Sequence, residues 1–213
     1  MKLIKRIASR ILKTLGVSEI VGLSRIALKE YGWILSARSA NSVDANGNPL
    51  PWITYPAIDI LKSRVTKSLK IFEFGCGNST LWWAEHTGIV HSVEHDRNWF
   101  EKMKKLVPQN VSLVFVPLEY GGAYSKQSQE NGPYDIIVID GRDRVNCMKN
   151  SIATLSDTGV IVLDNSDQKE YFEGIRFLAD HGFKQLPLRG LAPIVNYVSE
   201  TSLFYRPENV LKL

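Results

Sequence analysis

Cysteine is scarce in this sequence: Cys76 and Cys147 are the only two among 213 residues. They form no CxxC pair, and the four histidines show no zinc-binding spacing, which argues against a zinc module or a disulfide framework. Two unpaired cysteines fit a reducing compartment, so we expect a cytoplasmic location.

Long hydrophobic runs are also missing. No apolar stretch approaches the roughly 18 residues of a membrane span, and Arg6, Arg10 and Lys13 interrupt any signal-peptide core. Hydrophobic residues make up 44% of the chain and charged residues 23%, as in an ordinary globular domain. The length suffices for one such domain with a good core.

Basic charge is confined to one end of the chain. Five of the 26 Lys and Arg residues precede the first acid, Glu19, and the remaining 21 face 22 acidic residues. Most of the chain is therefore near neutral. Nucleic-acid binding needs a basic face, so we expect no nucleic-acid partner.

An amphipathic helix is predicted for residues 2–15, with apolar residues on one face and basic residues on the other. Two interpretations stay open. The helix could lie on an anionic membrane, which would make the protein membrane-associated. It could instead pack on the domain or against a second copy as a homodimer contact, and this is favoured because most such helices bury their apolar face. Residues 19–36 are also predicted helical, and residues 39–51 form a turn-rich loop.

Beyond a helix beginning near Pro56, short apolar runs alternate with helical segments, which is typical of a parallel sheet covered by helices. Two strands at the end have no helix between them and predict an antiparallel hairpin. The sequence thus predicts an α/β protein with an N-terminal helical extension and loop at 1–50 and one domain at 51–213. Strands are predicted at 70–75, 89–94, 111–116, 134–139, 159–163, 183–188 and 201–206, and helices at 79–86, 97–106, 143–155 and 168–181.

One predicted connection is unusually long. Residues 119–133 are polar and carry no clear element. A loop of this length is commonly functional or mobile, so a lid over the substrate and simple disorder are both open.

The most specific motif is IFEFGCGNST, residues 71–80, which reads as a buried strand, a glycine turn and a helix start. Gly75 and Gly77 allow a ligand to approach the backbone, and the helix N-terminus offers free N–H groups. A nucleotide-type cofactor fits this arrangement. Thr80 stands where the dinucleotide fingerprint has its third glycine. Glu73 would repel a pyrophosphate but attract an ammonium or sulfonium group, so an NAD-type dehydrogenase is disfavoured.

A second acid supports this interpretation. Glu94 ends the next apolar run, 17 residues after Gly77, which is close to the roughly 20 expected for an acid that binds ribose hydroxyls.

Together, EFGCGNST and VEHD resemble motif I and the acidic second motif of class I S-adenosylmethionine-dependent methyltransferases, and the similarity extends over residues 52–206. The resemblance implies a Rossmann-like seven-stranded sheet, mostly parallel with an antiparallel last strand and helices on both faces. It also implies S-adenosylmethionine as the cofactor. The implied cofactor-binding residues are Glu73, Gly75, Cys76, Gly77, Asn78, Ser79, Glu94 and Asp140.

Polar residues follow two later strands, where ligands bind in open α/β sheets. Asp140 ends one strand, and Asp164 and Asn165 end the next. Two carboxylates and an amide oxygen suit Mg²⁺. The arrangement resembles the metal-dependent O-methyltransferases of the catechol type, which implies these three residues as ligands of a cation that activates an acceptor hydroxyl.

The catechol-type enzymes use a lysine as the general base, and here Asp143 occupies the position of that lysine. Asp143 is one candidate proton acceptor, and Asp140 acting without a metal is another. Alternatively, these acids close turns and cap helices. Arg142 and Arg144 are predicted to bind an anionic substrate or to pair with the nearby acids on the surface, and both alternatives stay open. Trp52 and Tyr55 are predicted to line the substrate pocket.

The resulting prediction is a methyltransferase that acts on a small-molecule acceptor, by O-methylation of a hydroxyl. The alternatives are a nucleic-acid or protein methyltransferase and a catalytically inactive cofactor-binding module. Base-amine methyltransferases of this fold carry a (D/N)PP(Y/F) tetrad, whereas Asp140 is followed here by Gly-Arg, and no Pro-Cys nucleophile occurs.

Overall fold

The structure is a computed structural model that describes residues 12–213. Most of the helix predicted at residues 2–15 therefore lies outside the described residues, although residues 12–14 are helical. The single helical stretch predicted at 19–36 is divided into three, because the backbone leaves helical geometry at Ile26 and at Gly32. These short helices are α1 (Val17–Arg25), α2 (Ala27–Glu30) and α3 (Trp33–Ser39).

A seven-stranded sheet forms the centre of the molecule. The strand order is β3-β2-β1-β4-β5-β7-β6, and β7 runs antiparallel to both β5 and β6. This confirms the Rossmann-like α/β prediction with its closing hairpin. The strands are β1 (Lys70–Phe74), β2 (Ile89–Glu94), β3 (Val111–Phe115), β4 (Tyr134–Ile139), β5 (Leu155–Asp164), β6 (Lys184–Leu191) and β7 (Val198–Tyr205).

Helices cover both faces of this sheet. Successive residues of β1 show the division: Ile71 packs in one apolar cluster, and Phe72 packs in the other. The first cluster includes Leu61 and Trp83, and the second includes Met148. The remaining helices are α4 (Tyr55–Arg64), α5 (Asn78–His86), α6 (Arg97–Met103), α7 (Ala123–Lys126), α8 (Arg144–Ser151) and α9 (Phe172–Asp180).

The segment 119–133 is neither a lid nor disordered. It contains α7 and a 3-10 turn over Gln127–Glu130, and Tyr124 is fully buried beside Phe74, with 5.8 Å between the ring centroids. Asn150 of α8 donates a hydrogen bond to the Ser125 carbonyl at 3.1 Å. Neither of the two alternatives describes this segment, because the buried Tyr124 anchors it in the core although most of its residues are polar.

The composition predicts unpaired cysteines and no membrane-spanning segment. Cys76 and Cys147 are both free thiols, with Cys147 buried in α8. Within residues 12–213, no helix combines the length and the apolar character needed to span a bilayer.

Candidate active site

A cleft of about 720 Å³ opens where β1, β2, β4 and β5 end. Open α/β sheets bind ligands at this edge, and the volume lies in the range of small-molecule sites. All residues predicted to bind the cofactor line this cleft: Glu73, Gly75, Cys76, Gly77, Asn78, Ser79, Glu94 and Asp140.

The two glycines of the turn have different roles. Gly75 has φ 96°, and a Cβ there would lie 3.3 Å from the Cα of Gly141. The turn therefore requires glycine at this position. Gly77 is extended at φ 171°, and a Cβ there would meet no atom within 4 Å. Its backbone leaves space at the cleft for a ligand.

Glu73 is buried at the cleft with one oxygen satisfied and the other not. Its Oε2 accepts hydrogen bonds from Thr80 at 2.5 Å and from Ser92 at 3.2 Å, and Thr80 in turn accepts one from the Gly77 N–H at 3.0 Å. Its Oε1 is buried and accepts no well-formed hydrogen bond from residues 12–213, although the Ser79 hydroxyl lies close enough to lower the pKa of the carboxyl group. Burial raises the pKa of Glu73 to about 7, and the Glu94 carboxylate adds to this, although hydroxyl hydrogen bonds lower it. Buried polar atoms are normally paired, so Oε1 marks a place for a ligand donor.

Glu94 is fixed by backbone N–H groups. Its Oε1 accepts from His95 at 2.7 Å and from Asp96 at 2.8 Å, and its Oε2 accepts from Cys76 at 3.2 Å. These bonds hold the carboxylate beside the glycine turn, where the ribose prediction requires an acid.

Trp99 is a cleft residue that does not stand out in the sequence. It is 37% exposed, lines the cleft and donates from Nε1 to the Cys76 carbonyl at 2.7 Å. Asp96 caps the start of α6 through the Trp99 N–H at 2.8 Å, which orients this helix toward the turn. The contact with Cys76 joins residues 23 positions apart, so local sequence patterns do not reveal it.

The segment before the domain also contributes to the cleft. The Asn78 side chain donates to the Ser42 carbonyl at 2.7 Å, and Trp33 donates to the Val195 carbonyl at 2.7 Å. The site therefore takes residues from both sides of the boundary predicted at residue 50. Sequence reasoning missed several lining residues of the two flanking segments: Ala40, Asn41, Ser42, Leu50, Ala192, Ile194, Val195 and Ser199.

The predicted metal ligands lie close together, but side chains of the protein already donate hydrogen bonds to them. Arg144 donates to Oδ1 of Asp140 at 3.2 Å and to Oδ1 of Asn165 at 3.1 Å. Oδ1 of Asp164 accepts from Thr201 at 2.6 Å. Across residues 12–213, no three or more His, Cys, Asp or Glu side chains are grouped to hold a metal ion. The arrangement does not fit the predicted Mg²⁺, because a guanidinium already lies among the proposed ligands.

The acids of this cluster have perturbed ionisation. Burial and the neighbouring Asp164 carboxylate raise the pKa of Asp140 well above its usual range, although Arg144 lowers it. Burial also raises the pKa of Asp164 to about 6. Asp140 is partly exposed to the cleft, so a ligand there can reach its carboxyl group.

Asp143, the other predicted proton acceptor, does not line the cleft. It is buried, and its two carboxylate oxygens accept hydrogen bonds from the Gly121 N–H at 2.8 Å and from Asn146 at 2.7 Å. The carboxylate anchors the chain after β3 to the start of α8. This corresponds to the structural alternative for these acids, although the bonds differ from a standard helix cap.

The predicted substrate residues divide into two groups. Trp52, which is 49% exposed, and Arg142 line the cleft, as does Tyr197 of the β6–β7 connection. Tyr55 does not. It is buried at the start of α4 with its ring centroid 4.6 Å from that of Tyr31. The pocket prediction for Tyr55 is wrong because this position of α4 faces the core.

The similarity of this chain to known proteins lies in its fold and not in its sequence. No protein-family model matches the sequence, and no curated protein sequence is significantly similar to it. Solved structures do match, with the same arrangement of sheet and helices. The chain has the fold of the class I methyltransferases.

Three matched structures show the extent of the likeness. Cofactor-bound Rv0187 from MTB is 17% identical with a TM-score of 0.56, over 91% of this chain and 97% of that one. An rRNA methylase from Streptococcus thermophilus is 14% identical with a TM-score of 0.54, over 73% and 99%. SMU.1697c from Streptococcus mutans, in complex with SAH, is 13% identical with a TM-score of 0.52, over 72% and 99%. At these identities the likeness establishes the fold alone, and it confirms the predicted one.

Proposed function

We propose that this protein is an S-adenosylmethionine-dependent methyltransferase. The observation that carries the proposal is Oε1 of Glu73, which is buried at the cleft beside the glycine turn and accepts no well-formed hydrogen bond from the described part of the chain. S-adenosylmethionine carries an ammonium and a sulfonium group, and either would favour an ionised carboxylate nearby. A cofactor bearing only a pyrophosphate would not.

The remaining parts of the cofactor have matching positions along the cleft. Its methionine end would lie along the turn from Gly75 to Gly77, where the two glycines have no Cβ that would obstruct the backbone. The ribose hydroxyls would meet the Glu94 carboxylate, and the adenine would lie near Trp99, whose ring supplies an aromatic surface. The SAH and cofactor complexes of proteins with this fold support the choice of cofactor.

We further propose a small-molecule hydroxyl as the acceptor, with Asp140 as the proton acceptor. As the hydroxyl oxygen attacks, its lone pair forms the new O–CH₃ bond and the S–CH₃ pair returns to sulfur, leaving S-adenosylhomocysteine. The hydroxyl proton passes to the Asp140 carboxylate, whose raised pKa suits this role. Trp52, Arg142 and Tyr197 would surround the acceptor. Cofactor and acceptor held together supply the orientation that such a transfer needs.

Calorimetry tests the cofactor assignment. We expect S-adenosylhomocysteine to bind and NAD not to bind, and Glu94→Ala to weaken the binding by at least about tenfold, or 1.4 kcal/mol. Glu85→Ala is a matched control, because this exposed acid lies on α5 away from the cleft lining. Equal S-adenosylhomocysteine affinity in the wild type and Glu94→Ala contradicts the site assignment.

A methyl-transfer screen with labelled S-adenosylmethionine tests the acceptor. Phenols, sugars, RNA and protein fractions would be offered in parallel. Transfer to a small hydroxyl compound supports the proposal, and loss of this transfer in Asp140→Asn supports the assigned base. Transfer confined to RNA or to protein would favour those acceptors instead, and cofactor binding without any transfer would favour an inactive binding module.

We propose a cytoplasmic location with peripheral membrane contact or homodimer formation through the basic helix predicted for residues 2–15. The charge of this segment supports contact with anionic lipid. Flotation with anionic vesicles and light scattering, each with and without residues 1–16, separate the two. Loss of vesicle binding on deletion supports the membrane contact, and loss of a dimer supports the homodimer.

A further inference from the structure

We infer that the guanidinium of Arg144 is the built-in cation of this site, at the position where the resemblance to catechol-type enzymes implies a divalent metal ion. The ligand residues are present and adjacent, but they bind an arginine. Only the link between this cation and methyl transfer rests on the proposed function. That Arg144 occupies the predicted metal position does not depend on it.

The hydrogen bonds of Arg144 are the first observation. Nε donates to the Gly141 carbonyl at 3.0 Å. Nη1 donates to the Asp164 carbonyl at 2.5 Å and to Asn165 Oδ1 at 3.1 Å, and Nη2 donates to the carbonyl and Oδ1 of Asp140 at 2.9 and 3.2 Å. An arginine has five N–H donors, so every one has an acceptor at the ends of β4 and β5. A planar fork of this kind is held more rigidly than an ammonium group.

The position of Arg144 in the chain is the second observation. Arg144 is the first residue of α8, where a cation opposes the helix dipole. Its side chain is only 10% exposed, and its guanidinium lies 5.1 Å from the centroid of the Tyr171 ring. The surrounding oxygen atoms compensate for this burial of charge. A divalent cation at the same oxygens would have to displace the guanidinium or face its like charge at a few ångströms.

This arrangement has a consequence for the acceptor side of the cleft. Arg144 has no donor left for an acceptor, so its role is to position Asp140. It holds Oδ1 of Asp140, and Oδ2 carries no hydrogen bond from the described residues. Arg142 lines the same cleft, and its side chain also makes no hydrogen bond within residues 12–213. Arg142 is therefore the arginine available to an anionic group on the acceptor.

Mn²⁺ binding, followed by electron paramagnetic resonance, tests the inference without any need for activity. We expect no specific Mn²⁺ site in the wild type or in Lys149→Ala, which removes another cation of α8 that pairs with Glu173 outside the cleft. Arg144→Ala should bind Mn²⁺ at least about tenfold more tightly than the nonspecific binding of the wild type, a size typical of changes around a metal site. A second substitution, Asp140→Asn, should abolish that gain.

Two results would overturn the inference. One is a wild-type Mn²⁺ site that Asp140→Asn removes. The other is an Arg144→Ala variant that is folded by circular dichroism and gains no Mn²⁺ affinity. If Arg144→Ala does not fold, Arg144→Met keeps an unbranched stem against Tyr171 while removing the charge, and the same gain is required of it. If neither variant folds, the wild-type titration decides.

Activity supplies a separate readout once an acceptor is known. Wild-type methyl transfer should be unchanged by EDTA, and loss of transfer that added Mg²⁺ restores would contradict the inference. If no acceptor is ever methylated, the proposed function fails, while the Mn²⁺ titrations still decide the role of Arg144.

Discussion

Nη2 of Arg144 lies 3.2 Å from Oδ1 of Asp140, four residues earlier in the chain. The contact joins the first residue of α8 to the residue that directly follows β4. Through Asn165 it also reaches the end of β5. A single side chain therefore fixes the relative position of two strand ends at the cleft. Residues in a pattern typical of metal binding interact here with an arginine instead.

Replacing Glu73 should change how stability depends on pH. The pKa of Glu73 is about 7 in the folded protein, against 4.5 for an ordinary glutamate. The unfolded chain therefore loses its proton first, and stability should fall by about 3 kcal/mol as pH rises from 4.5 to 7, then level off. Glu73→Gln cannot ionise and should flatten this segment of the profile. Urea unfolding across this pH range measures the difference, and identical slopes in both proteins would contradict the assignment.

Alanine substitutions at Gly75 and Gly77 should have different effects, the first on folding stability and the second on ligand binding. Gly75→Ala places a side chain at φ 96° against Gly141 and should cost about 1–3 kcal/mol of unfolding free energy. Gly77→Ala introduces no clash and should cost less than about 0.5 kcal/mol. Its methyl group would still occupy ligand space, so S-adenosylhomocysteine should bind about tenfold more weakly. Wild-type affinity in Gly77→Ala would mean that the ligand does not approach this backbone.

Asp143→Asn tests whether Asp143 transfers a proton. An amide cannot accept the proton, and it replaces an acceptor of two hydrogen bonds. We expect a loss of about 1–2 kcal/mol in unfolding free energy with methyl transfer retained. Asp157→Asn, at an exposed position of β5, is the stability control. A variant of normal stability without methyl transfer would restore Asp143 as the base.

Thr201→Val should destabilise the protein through two buried partners. The Thr201 hydroxyl donates to Asp164 at 2.6 Å and accepts from the Thr54 N–H at 3.0 Å. Valine has the same shape but leaves both groups unpaired, at a cost of about 2–4 kcal/mol. Thermal or urea unfolding measures this cost. Thr158→Val is the control, because Thr158 is exposed on β5 and its side chain makes no hydrogen bond in the described structure; equal losses in both variants would exclude the hydrogen-bond explanation.

The sequence by itself determined the seven strands and the main helices from residue 70 onward, but not α7, and it determined the glycine turn that joins β1 to α5. Apolar periodicity and turn chemistry are local properties, so they are legible in a single chain. The predicted residues from Glu73 to Ser79 line the cleft because they lie at the end of β1 and in the turn that follows it. Glu94 joins them because β2 pairs in parallel beside β1.

The tertiary structure decided which partner each polar side chain takes. The residue types alone do not show whether Asp140, Asp164 and Asn165 hold a metal ion or an arginine. Only the approach of α8 to the end of β5 brings Arg144 between them. Tyr55 turns into the core and Trp99 turns toward the cleft for the same reason. The direction of a side chain depends on elements distant in sequence, and no local pattern encodes that packing.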